Sequence, residues 1–220
     1  MDDIGSIFVN EEFIEERVTP RELDRLLANG WRHFGQQFFR YNLAVYEGEI
    51  RFVIPLRIRL SEFRPSRSQQ RALRRNADTD VTIGPVEVTC EVETLFERHR
   101  LRFQHHPPDS IYNFLSEDPG AEPCETLQQS VRIGGELAAV GFFDVGAKSV
   151  SGIYTSFDPE EKRRSLGIFT ILKEIEYAKR EGKEFYYQGY CYSGNSFYDY
   201  KKGFAGTEAY RWNGEWSPLR

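Results

Sequence analysis

The chain has 220 residues, of which 40% are hydrophobic and 29% charged, and a formal net charge of −5. This is enough apolar content for a core without disulfides, and it excludes bulk disorder. No apolar run approaches the roughly 20 residues that span a bilayer and the first residues carry no cationic or apolar leader, so a cytoplasmic protein without a membrane partner is expected, while the acid excess alone argues against nucleic acid.

Thr19, then Pro20, then Leu23, Leu26 and Leu27 on one face predict a helix over 20–29, stopped by Gly30. Residues 37–46 and 50–60 read as strands joined near Glu47-Gly48. In the second, Arg57, Arg59 and Ser61 alternate with Leu56, Ile58 and Leu60, which sets the arginines on one face. A short basic helix is expected over 66–76, and Gly84-Pro85 opens a long helix over 86–104. The stretch 107–124, rich in Pro and Gly around a helical piece at 110–116, is the most linker-like.

The second half changes character. Strands are expected at 126–133 and 136–145 around Gly134-Gly135, and a third at 148–157. A helix follows over 160–181, then strands at 184–190 and 208–213. This is an α+β arrangement, and its order resembles the core of the GNAT (N-acetyltransferase) superfamily, a mixed sheet flanked by helices. A smaller N-terminal α/β region over 1–78 and a GNAT-like domain over 79–220 are expected.

Charge is unevenly spread. Residues 51–75 hold eight Arg and a single acid, Glu62, for a net of +7, which leaves −12 for the rest. The global balance therefore hides a basic island. Its residues Arg57, Arg59, Arg67, Arg71, Arg74 and Arg75 suit phosphate oxygens. A salt-bridged surface that uses the chain's own acids is the competing reading. Cysteine is sparse (Cys90, Cys124 and Cys191, without a CxxC), and there are four His, so a metal site is not expected. His105-His106 before Pro107-Pro108 reads as a helix end.

The loop entering the 160–181 helix is Arg164-Ser165-Leu166-Gly167-Ile168-Phe169. GNAT enzymes use R/Q-x-x-G-x-G/A here, so that backbone N–H groups approach the pyrophosphate of acetyl-CoA. The first elements fit. Phe169 replaces the last small residue, and its bulk is expected to crowd that approach.

Longer motifs point elsewhere. AAVGFFDV (138–145), SVSGIYTSFDP (149–159), RRSLGIFTILKEIEYAKREG (163–182) and YYQGY (186–190) resemble the C-terminal domain of the arginyl- and leucyl-tRNA–protein transferases. GWRHFGQQFFR (30–40) and SEFRPSRSQQRALRRN (61–76) resemble that family's GWRR-G and S-F-x-x-SRSQ-R-x-x-x-RN patterns. The family's cysteines after the GWRR strand are absent from Tyr41–Tyr46, and its later Cys, Lys and Met fall on Asn195, Phe197 and Tyr198.

The resemblance implies peptide-bond formation between a protein N-terminal amine and the ester of an aminoacyl-tRNA, carrying arginine or leucine. Such a site needs positioning, a proton acceptor and an oxyanion donor. Gln188, Tyr190 and Tyr187, with Asp158, are the catalytic candidates; core aromatics and a helix cap are the bland alternatives. Arg164 and Lys201 join the basic island as tRNA-binding candidates. Tyr154, Gly167, Arg32 and Arg132 are the substrate-binding candidates, the two arginines for an acceptor that starts with Asp or Glu. No cofactor is expected beyond aminoacyl-tRNA as donor substrate, and a monomer is expected. The alternatives are an acetyl-CoA-dependent acetyltransferase and a binding module that has lost turnover.

Overall fold

Two of the helices begin where the sequence supplies reciprocal caps. In the computed structural model, which describes residues 8–103 and 107–219, α1 (Pro20–Ala28) opens on Thr19. Its side chain accepts from the N–H of Glu22, whose carboxylate accepts from the N–H of Thr19. Helix α2 (Arg67–Arg75) opens the same way on Ser66 and Gln69. Both pairs satisfy N–H groups that a first helical turn leaves without partners. Gly30 closes α1 at φ 81°, a conformation that favours glycine.

Strands β1 (Asn10–Ile14), β2 (Arg32–Phe34) and β3 (Gln37–Tyr41) form a small antiparallel sheet of order β1-β3-β2. The large sheet takes β5 (Glu49–Arg59), β6 (Asp80–Pro85), β7 (Thr126–Ile133), β8 (Glu136–Val145), β9 (Ser149–Phe157), β10 (Phe185–Tyr192), β11 (Thr207–Tyr210) and β12 (Trp216–Pro218). Its order is β12-β11-β5-β10-β9-β8-β7-β6, with β4 (Leu43–Tyr46) paired to β5. The β9–β10 pair is parallel, as its crossover through α4 (Leu166–Arg180) requires. The α+β fold with helices flanking a mixed sheet is as expected. The sheet crosses the expected boundary at residue 78, since β5 lies between β10 and β11.

Both faces are covered. Leu172, Ile175 and Ala178 of α4 and Ala72 of α2 pack with Ile58, Phe143, Val150 and Tyr186 on one side. On the other, Val92, Leu95 and Phe96 of α3 (Cys90–Arg100) meet Val140 and Phe142, and Leu23 and Leu27 of α1 meet Phe38 and Tyr187. Two-sided burial accounts for the apolar run of β8, buried from Leu137 to Val145. No helix among the described residues is long and apolar enough to cross a membrane.

Three expected elements differ. The 37–46 strand is two strands in different sheets, broken at Asn42, whose N–H donates to the Val9 carbonyl while its own carbonyl accepts from Val53. Gly84-Pro85 ends strand β6 against Gln128 and Leu127 rather than opening a helix. The missing Pro donor is tolerated because β6 is an edge strand, and α3 begins later, on the Thr89 cap. The helix expected from 160 begins at Leu166. Asp158 diverts the chain first, accepting from the N–H of Glu160 at 2.9 Å through its side chain and from Glu161 through its carbonyl. The expected helix end at His105-His106 lies outside the described residues.

Candidate active site

Strands β9 and β10 pair only over Ser149–Ser151 and Phe185–Tyr187. Beyond that point they part, and a cleft of about 1080 Å³ opens between residues 152–155 of β9 and 188–190 of β10. The first turns of α4 form one wall. Tyr198, Tyr200 and Lys201, from a 3-10 turn at Phe197–Gly203, form part of another.

A bulge aims Gln188 into this cleft. The β10–β5 register passes from Tyr187 opposite Arg57 to Gly189 opposite Leu56, which leaves Gln188 as the extra residue. Gly189 takes φ 83° to allow it. Gln188 is buried, and its Oε1 has no hydrogen-bond partner among the described residues. Its Nε2 reaches Thr207 only at 3.5 Å.

Two cations converge on Gly189. A β-carbon there would lie 3.4 Å from Lys201 Nζ and 3.7 Å from the Arg32 guanidinium. Arg32, on β2, is 8% exposed and donates to the Ser151 hydroxyl and the Gly152 carbonyl at the fork. Burial lowers its affinity for a proton. Lys201 donates to the Tyr190 carbonyl at 3.0 Å. Burial, and then repulsion from Arg32, brings its pKa down to about 7.

Beside them is a carboxyl group absent from the candidates that the sequence suggests. Glu174 on α4 is 1% exposed and accepts from the Tyr186 hydroxyl, and its Oε1 has no partner among the described residues. Burial raises its pKa to about 8. It lines the cleft although it lies mid-helix. The only signal in the sequence is a charged residue on the apolar stripe of α4, between Ile171 and Ile175.

The predicted residues divide. Tyr154 and Gly167 line the cleft with Arg32, Gln188, Tyr190 and Lys201. The Tyr154 hydroxyl is buried without a partner among the described residues, and burial pushes its pKa up to about 12. Tyr190 shares the cleft, but its hydroxyl is committed to the Gly30 carbonyl at 2.7 Å. Tyr187 faces the other way, packed with Leu23, Leu27 and Phe38. Asp158 pairs with Arg98 at 2.7 Å and holds its own turn; it is neither on the cleft wall nor the cap of α4, whose N-cap is Ser165. Arg132 is bound bidentately by Glu91, away from the cleft. His99 is neutral, its pKa brought down to about 4 by burial.

The basic island also divides. Arg57 is buried, paired to Glu208 at 2.7 Å, and stacked over Phe185 and Trp216. Arg59 pairs with the same carboxylate. Arg164 is clamped by Asp78. These three are structural pairs rather than open phosphate contacts. Arg67, Arg71, Arg74 and Arg75 remain exposed on α2. That helix is tied to the cleft rim: Arg75 donates to the Arg163 carbonyl, and Arg164 donates to the Arg75 carbonyl.

Phe169 does not crowd the start of α4. It is 3% exposed and packs inward with Val131, Ala139 and Leu166, which leaves Gly167 and Ile168 on the cleft wall. A second polar cluster, unforeseen in the sequence, joins His33, Cys124 and Asp144, with donor atoms within 4.8 Å of one another. His33 Nε2 meets Asp144 at 2.9 Å and Nδ1 meets the Gly35 carbonyl at 2.8 Å, while Asp144 also accepts from Thr126. Each of these ring nitrogens and carboxylate oxygens thus has a protein partner.

A profile described as "Arginine-tRNA-protein transferase, C terminus" matches residues 91–211. The chain is 31% identical over 194 residues to an aspartate/glutamate leucyltransferase of Saccharophagus degradans, covering 86% of this chain and 78% of that one. It is 32% identical over 215 residues to an aspartate/glutamate leucyltransferase of Marinobacter nauticus, covering 94% and 87%. The crystal structure of FemX superposes at a TM-score of 0.55 and 11% identity, over 86% of this chain and 66% of that one, a likeness of fold alone. With the profile spanning more than half its length and relatives aligned over most of it, the chain belongs to the tRNA–protein transferase family.

Proposed function

We propose that the protein moves an amino acid from an aminoacyl-tRNA to the α-amine of a protein whose first side chain is acidic. The observation that carries this reading is the pair of cationic side chains, buried Arg32 and half-buried Lys201, converging on Gly189 in the cleft. A buried cation is costly unless an anion meets it. An acceptor Asp or Glu side chain would supply that anion.

In the reaction the amine nitrogen attacks the ester carbonyl carbon. The C–N bond forms as the C–O bond to the terminal ribose breaks, and the proton given up by the amine ends on the ribose oxygen. The ester is already activated, and an α-amine with a pKa of roughly 7.7–8 is partly neutral near pH 7. Positioning then supplies much of the rate. The amide of Gln188 would orient the amine or polarise the carbonyl. The exposed arginines of α2, tied to the rim, would hold phosphates of the tRNA arm while its charged end enters the cleft.

The test mixes the protein with peptides starting in Asp, Glu or Lys and total charged tRNA, and reads peptide masses. A gain of one residue on the Asp and Glu peptides alone is expected. No gain on any peptide overturns the reading. A second reading, acyl transfer from acetyl-CoA, is favoured by the inward turn of Phe169, which leaves the start of α4 open to a pyrophosphate. Thermal stabilisation by acetyl-CoA but not by charged tRNA would select it.

A further inference from the structure

The cluster of His33, Cys124 and Asp144 lies outside the cleft. Its members come from three separate segments: β2, the residues just before β7, and β8. His33 is 3% exposed, Cys124 4% and Asp144 1%. Cys124 packs with Leu23, Leu27 and Phe38, and the His33 ring lies 4.8 Å from that of Phe38. Polar groups in such a setting cost stability unless each is matched.

The match is incomplete without a positive charge. The Gly35 carbonyl, 2.8 Å from His33 Nδ1, can only accept, so Nδ1 carries the ring proton. In a neutral ring Nε2 then presents its lone pair. It faces Asp144 Oδ2 at 2.9 Å and the Cys124 sulfur at 3.8 Å. A carboxylate oxygen is an acceptor too, so these two atoms repel unless a proton or a metal ion joins them. A proton would join only the nitrogen and the oxygen. The sulfur also contacts Asp144, and the three donor atoms all lie within 4.8 Å of one another.

The outer contacts are those that orient metal ligands. The Gly35 carbonyl fixes the imidazole with Nε2 aimed inward, and the N–H of Gly35 is itself held by the Phe114 carbonyl at 3.2 Å. The Thr126 hydroxyl donates to Asp144 Oδ1 at 2.8 Å, which turns Oδ2 toward the cluster.

We propose that His33 Nε2, Cys124 Sγ and Asp144 Oδ2 bind a zinc ion. Imidazole, thiolate and carboxylate are zinc ligands, and tetrahedral bonds of about 2.0–2.3 Å set such atoms roughly 3.3–3.6 Å apart. The separations of 2.9 and 3.8 Å bracket that range. One thiolate and one carboxylate balance a divalent ion, so the buried site is neutral, and water takes the fourth position. None of the three stands where the family's cysteines would, at Tyr41–Tyr46. His33 faces Phe38 near the start of β3, whereas that segment begins at its end. The ion staples β2 to β8 one residue from Arg32, which holds the fork of the cleft. The proposal does not depend on the transferase reading.

The test uses the full chain, produced with added zinc, freed of any histidine tag and dialysed against metal-free buffer. Elemental analysis should find about one zinc ion per chain. Cobalt(II) added after the zinc is stripped should give a sulfur-to-cobalt charge-transfer band. Cys124→Ser should abolish that band and lower zinc affinity at least about tenfold. Zinc should raise the melting temperature of the stripped protein but not that of Cys124→Ser. Cys90→Ser with Cys191→Ala leaves Cys124 as the one thiol and should keep the band. That double variant locates the sulfur even where Cys124→Ser does not fold, and loss of the band from it, folded, overturns the proposal. Zinc absent after dialysis, with no cobalt band, overturns it and leaves a proton-bridged His33–Asp144 pair. Zinc held with undiminished affinity by both Cys124→Ser and His33→Gln overturns it as well.

Discussion

Arg32 and Gly152 meet at the point where β9 and β10 stop pairing: the guanidinium of one donates to the carbonyl of the other, in place of a ladder bond. The same side chain also holds the Ser151 hydroxyl. It is both the wedge of the fork and a charge presented to the cleft. Replacing it tests the two roles separately. Arg32→Lys keeps the charge but cannot form the forked contact. We expect KM for an Asp-initial peptide to rise about tenfold in Arg32→Lys and about a hundredfold in Arg32→Met, with smaller changes in kcat. Steady-state kinetics against peptide concentration, with thermal melting as a control for folding, makes the measurement.

The exposed arginines of α2 predict a salt dependence. Each phosphate left without its arginine should reduce the slope of log affinity against log salt by roughly 0.7–0.9. Removing Arg67, Arg71, Arg74 and Arg75 together should flatten the slope for tRNA by about 3 and weaken binding at low salt. Arg57 and Arg59 belong to the ion pair with Glu208, so variants there should change stability rather than the slope. Filter binding across a salt series distinguishes the two outcomes.

That Arg57–Glu208 pair gives a stability prediction. Glu208 on β11 holds Arg57 and Arg59 of β5 from one carboxylate. Glu208→Ala strands Arg57 in a buried site between the Phe185 and Trp216 rings, and the cost should be about 3–5 kcal/mol. Removing both partners of the buried pair, Arg57→Met with Glu208→Leu, should cost much less than the single change. Urea unfolding of the single and double variants tests this.

The sequence was informative where physics is local. The helix after Thr19, the basic helix over 66–76, the Gly134-Gly135 hairpin and the apolar stripe of α4 each depend on residues within one element, and each is present, α4 with a later start at Leu166. It misled where distant segments decide. The alternation of Arg57 and Arg59 looked like an open phosphate face, but β11 brings Glu208 from 151 residues away to cover it. Phe169 looked like an obstruction, yet the helix phase that places Gly167 on the cleft turns Phe169 into the core. Glu174 has no local signature, because its setting depends on what β8 and β9 leave out opposite it, namely side chains at Gly141 and Gly152.

Those two glycines are open to direct substitution. Gly152→Ala places a methyl group 2.7 Å from the Tyr186 hydroxyl, at the end of a rigid ring that is 2% exposed. Neither group can move far in a packed interface, so we expect a loss of about 1–3 kcal/mol. Gly48→Ala has open space around it and only its positive φ to resist it. It should be milder, and it serves as the control in thermal melts.

Glu174 and Lys201 predict opposite pH slopes of stability. Glu174 carries a native pKa of about 8 against an ordinary 4.5. Between those values the native state holds a proton that the unfolded chain has released, so stability falls as pH rises from about 4.5 to about 8. Lys201 carries a native pKa of about 7 against an ordinary 10.5. Between these the unfolded chain holds the extra proton, so stability rises as pH climbs from about 7 to about 10. The two effects meet near pH 7–8, where the favourable slope from one overlaps the unfavourable slope from the other. Glu174→Gln should therefore flatten the acid-side fall and leave the alkaline rise in place, and Lys201→Met should do the reverse. Urea midpoints measured from pH 4 to pH 10 read both slopes. An alkaline rise that persists unchanged in Lys201→Met would show that Lys201 is not the amine responsible for it.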